Sequence, residues 1–315
     1  MNILFTFVPP ETVQEGIRQE YSDFAIHFSR IGSAADFLPE AEIIVTYGED
    51  LNEDYIEKAR KLKWIMIMSA GMEKMPFEAC ARRGILVTNA RGIHKIPMAE
   101  FTIGTMLQHV KQFPAIRRNE EREEWDRKVK VGELAGKHLL VLGIGAIGGE
   151  TARLAKAFRM KVTGINRSGR EHKDADQTDT FQNIEAYLPD ADFIVSVLPS
   201  TDETYHLLNE EHFRLMKETA VFINIGRGNL VEEEILLKVM KERIIAHAYL
   251  DVFQTEPLPK GHPFWKMDNV TVTPHISSIT ENYLPRSLEI FRHNFEAYRN
   301  NHGSYINVID LSRGY

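Results

Sequence analysis

Along nearly the whole chain, short runs that are apolar at almost every position are separated by segments whose apolar residues return at helical spacing. The runs are residues 3–8, 42–47, 63–68 and 85–89, then 138–142, 161–166, 193–198, 220–225, 244–250 and 270–273. A strand with one face in water alternates polar with apolar residues, whereas a strand covered on both faces stays apolar. Residues 11–21, 52–61, 73–82 and 150–158 each carry a single apolar stripe, as helices lying on a sheet do. A βαβα order with doubly covered strands implies parallel sheets with helices on both sides. The expected fold class is α/β, with two doubly wound parallel-sheet domains. No repeat of solenoid period interrupts the pattern.

A chain of 315 residues matches two domains at ~100–200 residues each. The division is not a cut in the middle. Residues 97–112 read as one long helix, and the charge-dense stretch 117–130 follows as a solvated face or loop, or as a subunit contact around Trp125. Near the C-terminus, Leu284, Leu288, Phe291, Phe295 and Tyr298 recur at helical spacing and need a surface to cover. If that helix returns to the first domain, residues 1–97 and 286–315 form one domain, with residues 98–285 inserted as the second. The N-terminus, MNILFTFVPP, has no basic stretch and is broken by Pro9 and Pro10, so it reads as a strand and not as a signal peptide. With no apolar stretch near the ~18 residues that span a bilayer, the expectation is a cytoplasmic protein with no membrane partner. The net charge of −7 argues against nucleic acid as a partner, and a lone Cys80 fits a reducing compartment and packing rather than chemistry. No H-E-x-x-H or other trusted ligand spacing occurs, so no metal is expected.

Residues 138–148 read HLLVLGIGAIG: a buried strand, then Gly143-x-Gly145-x-x-Gly148, then a helix. By itself the glycine pattern is weak, but between strand and helix it has a physical meaning. Gly143 permits the tight turn, Gly145 lets backbone approach a pyrophosphate, and Gly148 allows the helix to pack on the strand. The helix start, with Ala146 and Ile147, offers N–H groups and a positive dipole end to phosphates. Residues 132–137 also hold two glycines and a lysine, but their spacing is wrong for a phosphate loop and they precede the strand. For an NAD site, the next strand should end in an acidic residue. Here it ends in Asn166-Arg167-Ser168-Gly169-Arg170, with no carboxylate to accept the ribose hydroxyl. Asn166, Arg167 and Ser168 could donate to a 2′-phosphate instead, so NADP(H) is the preferred cofactor, with NAD(H) possible.

Three further segments follow predicted strands: residues 222–228 with Arg227, residues 251–258 with Asp251 and Glu256, and residues 273–278 with His275. Together with Ser69-Ala70-Gly71-Met72, Pro97-Met98-Ala99-Glu100 and the segment from Leu198-Pro199 to Thr204, they occur in an order that resembles the D-isomer-specific 2-hydroxyacid dehydrogenase family. The resemblance covers essentially the full length, and it implies a Rossmann dinucleotide-binding domain inserted into a flavodoxin-like substrate domain. It further implies catalytic roles for Arg227, Glu256 and His275. Arg227 would bind the substrate carboxylate and polarise the 2-oxo group. His275 would give a proton to the carbonyl oxygen as the nicotinamide delivers hydride, and Glu256 would pair with His275 and orient it. The backbone N–H groups of Ala70 and Gly71 would hold the rest of the carboxylate. Leu198, Pro199, Thr204, Ile225 and Asp251 would line the dinucleotide, Asp251 near the nicotinamide.

The Asn-Arg-Ser turn and residues 273–280 (TPHISSIT) are most similar to the NADP-dependent glyoxylate/hydroxypyruvate reductases of that family. They point to reduction of a short 2-oxo acid such as glyoxylate or hydroxypyruvate to the D-2-hydroxy acid. A phosphoglycerate dehydrogenase-like NAD enzyme stays open, although the chain ends without the regulatory domain of the longer phosphoglycerate dehydrogenases. So does a dinucleotide-sensing binding protein of the same fold. The resemblance also implies a homodimer, with contacts along the helix from Pro97 and near Trp125.

Overall fold

A computed structural model of the chain describes residues 1–69, 72, 74–300 and 303–311. Its elements begin with β1 (Asn2–Phe5), α1 (Glu11–Glu20), β2 (Ala25–Phe28), β3 (Ile43–Thr46), α2 (Glu53–Lys58), β4 (Trp64–Ile67), α3 (Phe77–Arg82) and β5 (Leu86–Asn89). The next part comprises α4 (Lys95–Val110), α5 (Phe113–Glu121), β6 (His138–Leu142), α6 (Ala146–Ala157), β7 (Lys161–Ile165), β8 (Gln177–Asp179), β9 (Phe193–Ser196), α7 (Glu210–Leu215), β10 (Val221–Asn224), α8 (Glu233–Lys241), β11 (His247–Leu250) and β12 (Val270–Val272). The last helix is α9 (Tyr283–Asn300). The chain divides into one unit of residues 1–93 and 281–315 and a second of residues 94–280.

The first unit is a parallel sheet in the order β2-β1-β3-β4-β5, the flavodoxin-like arrangement. Its strands bury both faces by simple alternation. Ile3, Phe5, Ile43, Val45, Trp64 and Met66 pack with Leu288, Phe291 and Phe295 of α9, while Leu4, Ile44, Ile65 and Ile67 face a separate cluster with α2 and α3. The Phe291 ring stacks on Trp64 at 5.5 Å. Each such fully buried ring contributes roughly 1.5–3 kcal/mol, so the apolar stripe of the C-terminal helix finds its surface on this sheet.

The second unit is a parallel sheet in the order β12-β11-β10-β9-β6-β7-β8. The same alternation sends Leu139, Val141, Phe193 and Val195 against α4 and α6, and Leu140, Leu142, Ile194 and Phe222 against the opposite layer. Strand order reverses between β6 and β9, and the carboxyl ends of strands open a crevice at such a switch point.

The units divide at 93/94 and 280/281, and Pro97 and Pro285 sit a few residues further on, in the first turns of α4 and α9. N–H groups there have no intrahelical partner, so proline costs the helix little. The charged stretch expected as a solvated face or loop begins as α5, a helix with no buried residue, whose Arg117 pairs with Glu120 at 2.8 Å and Glu121 at 3.1 Å. Cys80 is fully buried, and burial pushes its thiol up to about 11. No described helix is long and apolar enough to cross a membrane.

Candidate active site

Every strand of the larger sheet except β8 leads into a loop that carries residues singled out above. At the end of β6, Gly143 turns the chain at φ 98°, and Gly145 starts α6 with no side-chain cap. The glycines have different reasons to be there. A Cβ on Gly148 would lie 2.3 Å from the Gly143 carbonyl oxygen, and one on Gly143 would lie 3.0 Å from the Leu198 side chain. A Cβ on Gly145 would meet nothing within 4 Å. Gly145 therefore leaves its backbone open at the uncapped positive end of a helix, the arrangement that receives a pyrophosphate.

This turn forms one wall of a cleft of about 770 Å³, a size typical of small-ligand and cofactor sites. Gly143, Gly145, Asn166, Arg167, Ser168, Leu198, Pro199 and Thr204 line it, as do Ile144, Arg170, His172, Lys173 and Glu203. Ala146, Ile147, Gly148, Ile225 and Asp251 are not among the lining residues. Residues 166–170 form a self-contained turn. The Asn166 amide donates to the Arg170 carbonyl at 2.8 Å and accepts from the Ser168 N–H at 3.0 Å, and the Ser168 hydroxyl also donates to it. Asn166 and Ser168 thus shape the turn, and Arg167 extends from it. On the other wall, the Thr204 hydroxyl donates to the Pro199 carbonyl at 2.6 Å and accepts from the Thr201 N–H at 2.9 Å. The open glycine backbone, the free helix end and the cationic rim fit a nicotinamide dinucleotide.

The other candidate residues follow the neighbouring strands β10, β11 and β12. Arg227 lies between two glycines that only glycine can occupy. A Cβ on Gly226 would fall 2.6 Å from the Leu198 carbonyl oxygen, and one on Gly228 would fall 2.0 Å from the Phe253 carbonyl carbon. The turn carrying Arg227 is therefore pressed between the cleft wall and the loop that carries Glu256. Asn224 clamps it from inside, donating to the Arg227 carbonyl at 2.9 Å and accepting from the Gly226 N–H at 3.1 Å. The guanidinium is exposed, donates only to the Gly226 carbonyl at 2.8 Å, and makes no ion pair among the described residues. A planar fork with unused donors suits a carboxylate.

Glu256 bridges two partners. One carboxylate oxygen accepts from the Phe253 N–H at 2.9 Å, and the other lies 2.8 Å from His275 Nδ1. His275 holds φ 53°, a left-handed conformation that costs a non-glycine residue of order 1–3 kcal/mol. Its surroundings enforce it. Asp251, only 1% exposed, accepts from the Thr273 hydroxyl at 2.6 Å and from the Ile276 and Ser277 N–H groups, both at 2.9 Å. The resemblance implied a nicotinamide contact for Asp251; the contacts found tie its carboxylate to the His275 loop. His94, at the start of α4, is bonded to the Ser278 backbone, and burial pushes its pKa down. With Nδ1 facing Glu256, Nε2 is the ring atom left for a reacting group.

Ala70 and Gly71 lie outside the described residues. Sequence reasoning did not find Glu203, the loop-holding role of Asp251, or His172, whose Nε2 would lie 2.5 Å from a Cβ on Gly149. All of these depend on loops from different strands meeting, for which local sequence carries no signal. Among the described residues, no group of three or more acidic, histidine or cysteine side chains is arranged to hold a metal ion.

The family model for the D-isomer specific 2-hydroxyacid dehydrogenase NAD-binding domain matches residues 103–277. The chain is 38% identical over 241 residues to a D-3-phosphoglycerate dehydrogenase of Methanocaldococcus jannaschii, covering 76% of this chain and 46% of that one. It thus spans about half the length of that relative. Its match to a glyoxylate reductase of Pyrococcus horikoshii is 36% identical over 248 residues, 76% of this chain and 74% of the other. In fold it is similar to a D-isomer specific 2-hydroxyacid dehydrogenase family protein from Aeromonas salmonicida. The TM-score is 0.86 at 31% identity, over 98% of this chain and 99% of that one.

Proposed function

The chain belongs to the D-isomer specific 2-hydroxyacid dehydrogenase family, and from that premise we propose that it reduces a short 2-oxo acid, glyoxylate or hydroxypyruvate, to the D-2-hydroxy acid with NADPH. The observation that carries this reading is the 2.8 Å pair of Glu256, after β11, with His275 Nδ1, after β12, beside the β10 end that bears Arg227, which has no ion pair among the described residues. Arg227 takes the substrate carboxylate with its free donors and draws charge from the adjacent carbonyl. Glu256 accepts from His275 Nδ1–H and orients the ring, and the imidazolium form carries on Nε2 the proton given to the carbonyl oxygen. A nicotinamide dinucleotide would supply the hydride when bound, and Gly143, Gly145 and the start of α6 would hold its phosphates. Arg167 and Arg170 favour the extra 2′-phosphate, because two guanidiniums on the cleft rim attract a dianion.

Similarity to the Methanocaldococcus protein favours a second reading, reduction or oxidation at a phosphorylated three-carbon acid with NAD. Initial rates on glyoxylate, hydroxypyruvate, pyruvate and 3-phosphohydroxypyruvate, each with NADPH and NADH, separate the two. The proposal expects the highest kcat/KM for glyoxylate or hydroxypyruvate with NADPH. Highest kcat/KM for 3-phosphohydroxypyruvate with NADH supports the second reading, and absence of turnover on all four supports a dinucleotide-sensing protein. The family reading also carries a homodimer of cytoplasmic location, with the 93% exposed Trp125 in the subunit contact. Sedimentation of the native protein at the mass of a monomer would refute the dimer.

A further inference from the structure

The cationic rim of the cleft contains a carboxylate that the sequence pattern did not predict. Glu203 reaches from the loop after β9 to the turn after β7, and its Oε1 lies 2.9 Å from Arg167 Nη2. Both residues line the cleft. Of the permanent cations on this rim, Arg167, Arg170 and Lys173, only Arg167 is in an ion pair among the described residues. The pair is also set up from both sides by its backbone. Thr204, next to Glu203 and 5% exposed, ties its loop to the Pro199 carbonyl and the Thr201 N–H. Asn166, next to Arg167, closes its own turn on Arg170 and Ser168. Two locked turns therefore present opposite charges to each other across the mouth of the site.

We propose that Glu203 is a specificity-determining residue that competes internally for the 2′-phosphate seat. The inference rests on the reading of Arg167 as a 2′-phosphate ligand. In the free protein the carboxylate occupies the guanidinium. An incoming 2′-phosphate must displace it and then stands near a negative charge, whereas a 2′-hydroxyl faces neither cost. Glu203 thereby restrains the preference for a 2′-phosphorylated dinucleotide and keeps the unphosphorylated one usable. Both side chains are more than half exposed, at 79% and 55%, so the pair is weak and the restraint is a matter of a few-fold.

The test uses adenosine 2′,5′-bisphosphate and adenosine 5′-monophosphate, which differ only in the 2′-phosphate, titrated calorimetrically into wild type, Glu203→Gln, Arg167→Met and the double variant. The expected result is that Glu203→Gln binds the bisphosphate about two- to fivefold more tightly, binds the monophosphate as wild type does, and loses the gain when Arg167 is also replaced. An unchanged or weaker bisphosphate affinity in Glu203→Gln overturns the proposal, as does a gain that survives in the double variant. Failure of the underlying reading is distinct. In that case Arg167→Met leaves bisphosphate binding unchanged in both the wild-type and the Glu203→Gln background. Glu203→Asp, which keeps the charge on a shorter stem, should fall between wild type and Glu203→Gln; a pure packing role would not order the three in this way.

Discussion

The loops at the two ends of the larger sheet are built differently. Those after β7 and β9 are held mainly by bonds of their own: the Asn166 turn bonds within residues 166–170 and the Thr204 turn within residues 199–205, an exposed ion pair joins the two, and the Asn229 amide ties Ser200 to the loop after β10 at 2.7 Å. Those after β10, β11 and β12 are braced to one another. Gly228 lets the Arg227 turn touch Phe253, Glu256 links the 253 backbone to His275, and Asp251 holds three donors from residues 273–277. Charge-assisted bonds to a buried carboxylate are strong, and leaving their donors unmet is expensive, whereas an exposed pair is worth little. Under the proposed function, that difference fits a division of labour. Proton transfer needs reacting groups held to a fraction of an ångström, while a cofactor rim gains from parts that can be changed one at a time.

That contrast can be broken experimentally, and the largest effect should come from Gly228→Ala. The new methyl would overlap the Phe253 backbone, so the Arg227 and Glu256 loops must separate. The expected outcome is a loss of kcat/KM of at least about a hundredfold, measured by initial rates, or failure to accumulate as soluble protein. Gly145→Ala meets no protein atom within 4 Å and should fold normally, its defect confined to dinucleotide affinity.

Asp251→Asn should come next. It removes the charge that the Thr273 hydroxyl and two N–H groups bond to, and it presents an amide where an acceptor is needed. A loss of about 1–3 kcal/mol in urea unfolding is expected, with kcat lowered more than dinucleotide affinity. Equal losses in both would show that the two groups of loops are not independent.

The smallest effect on activity is predicted at the opposite end of β11, at His247. Its ring packs 4.5 Å from Tyr249 and 5.6 Å from His109, shares a 2.9 Å bond with the Thr271 hydroxyl, and is pushed down by burial from 6.5 to about 4. The unfolded chain takes up this proton at higher pH than the folded one. Stability linked to His247 is therefore fully present above about pH 6.5 and falls as pH drops toward 4, by at most about 1.4 kcal/mol per pH unit. His247→Phe should flatten the pH dependence of urea unfolding in that window while leaving kcat at pH 7.5 unchanged. A slope identical to wild type would show that the ring is not the group responsible.

What could be read from the sequence follows the same physics. The strands were legible because both faces are covered, which leaves unbroken apolar runs. The exceptions are β2 and β8, two of the four edge strands, neither of which has a fully buried residue. Arg227, Glu256 and His275 were legible as polar residues just past buried strands. Their bracing was not. Whether Gly228 touches Phe253, or Glu203 reaches Arg167, depends on which strands are neighbours and how their loops lean, and nothing within a few residues of either position encodes it. For the same reason nothing near Asp251 in the sequence shows that its carboxylate is bonded to the loop of His275.

The central claim is that His275, oriented by Glu256, moves the proton while other loops hold the cofactor. Its most direct measurement is His275→Ala, with NADPH affinity by fluorescence titration and turnover of glyoxylate and hydroxypyruvate by absorbance, on the same preparation. The account predicts NADPH affinity within about twofold of wild type and turnover lower by about 10²–10⁴-fold. Turnover within a few-fold of wild type in a variant that still binds NADPH would contradict it.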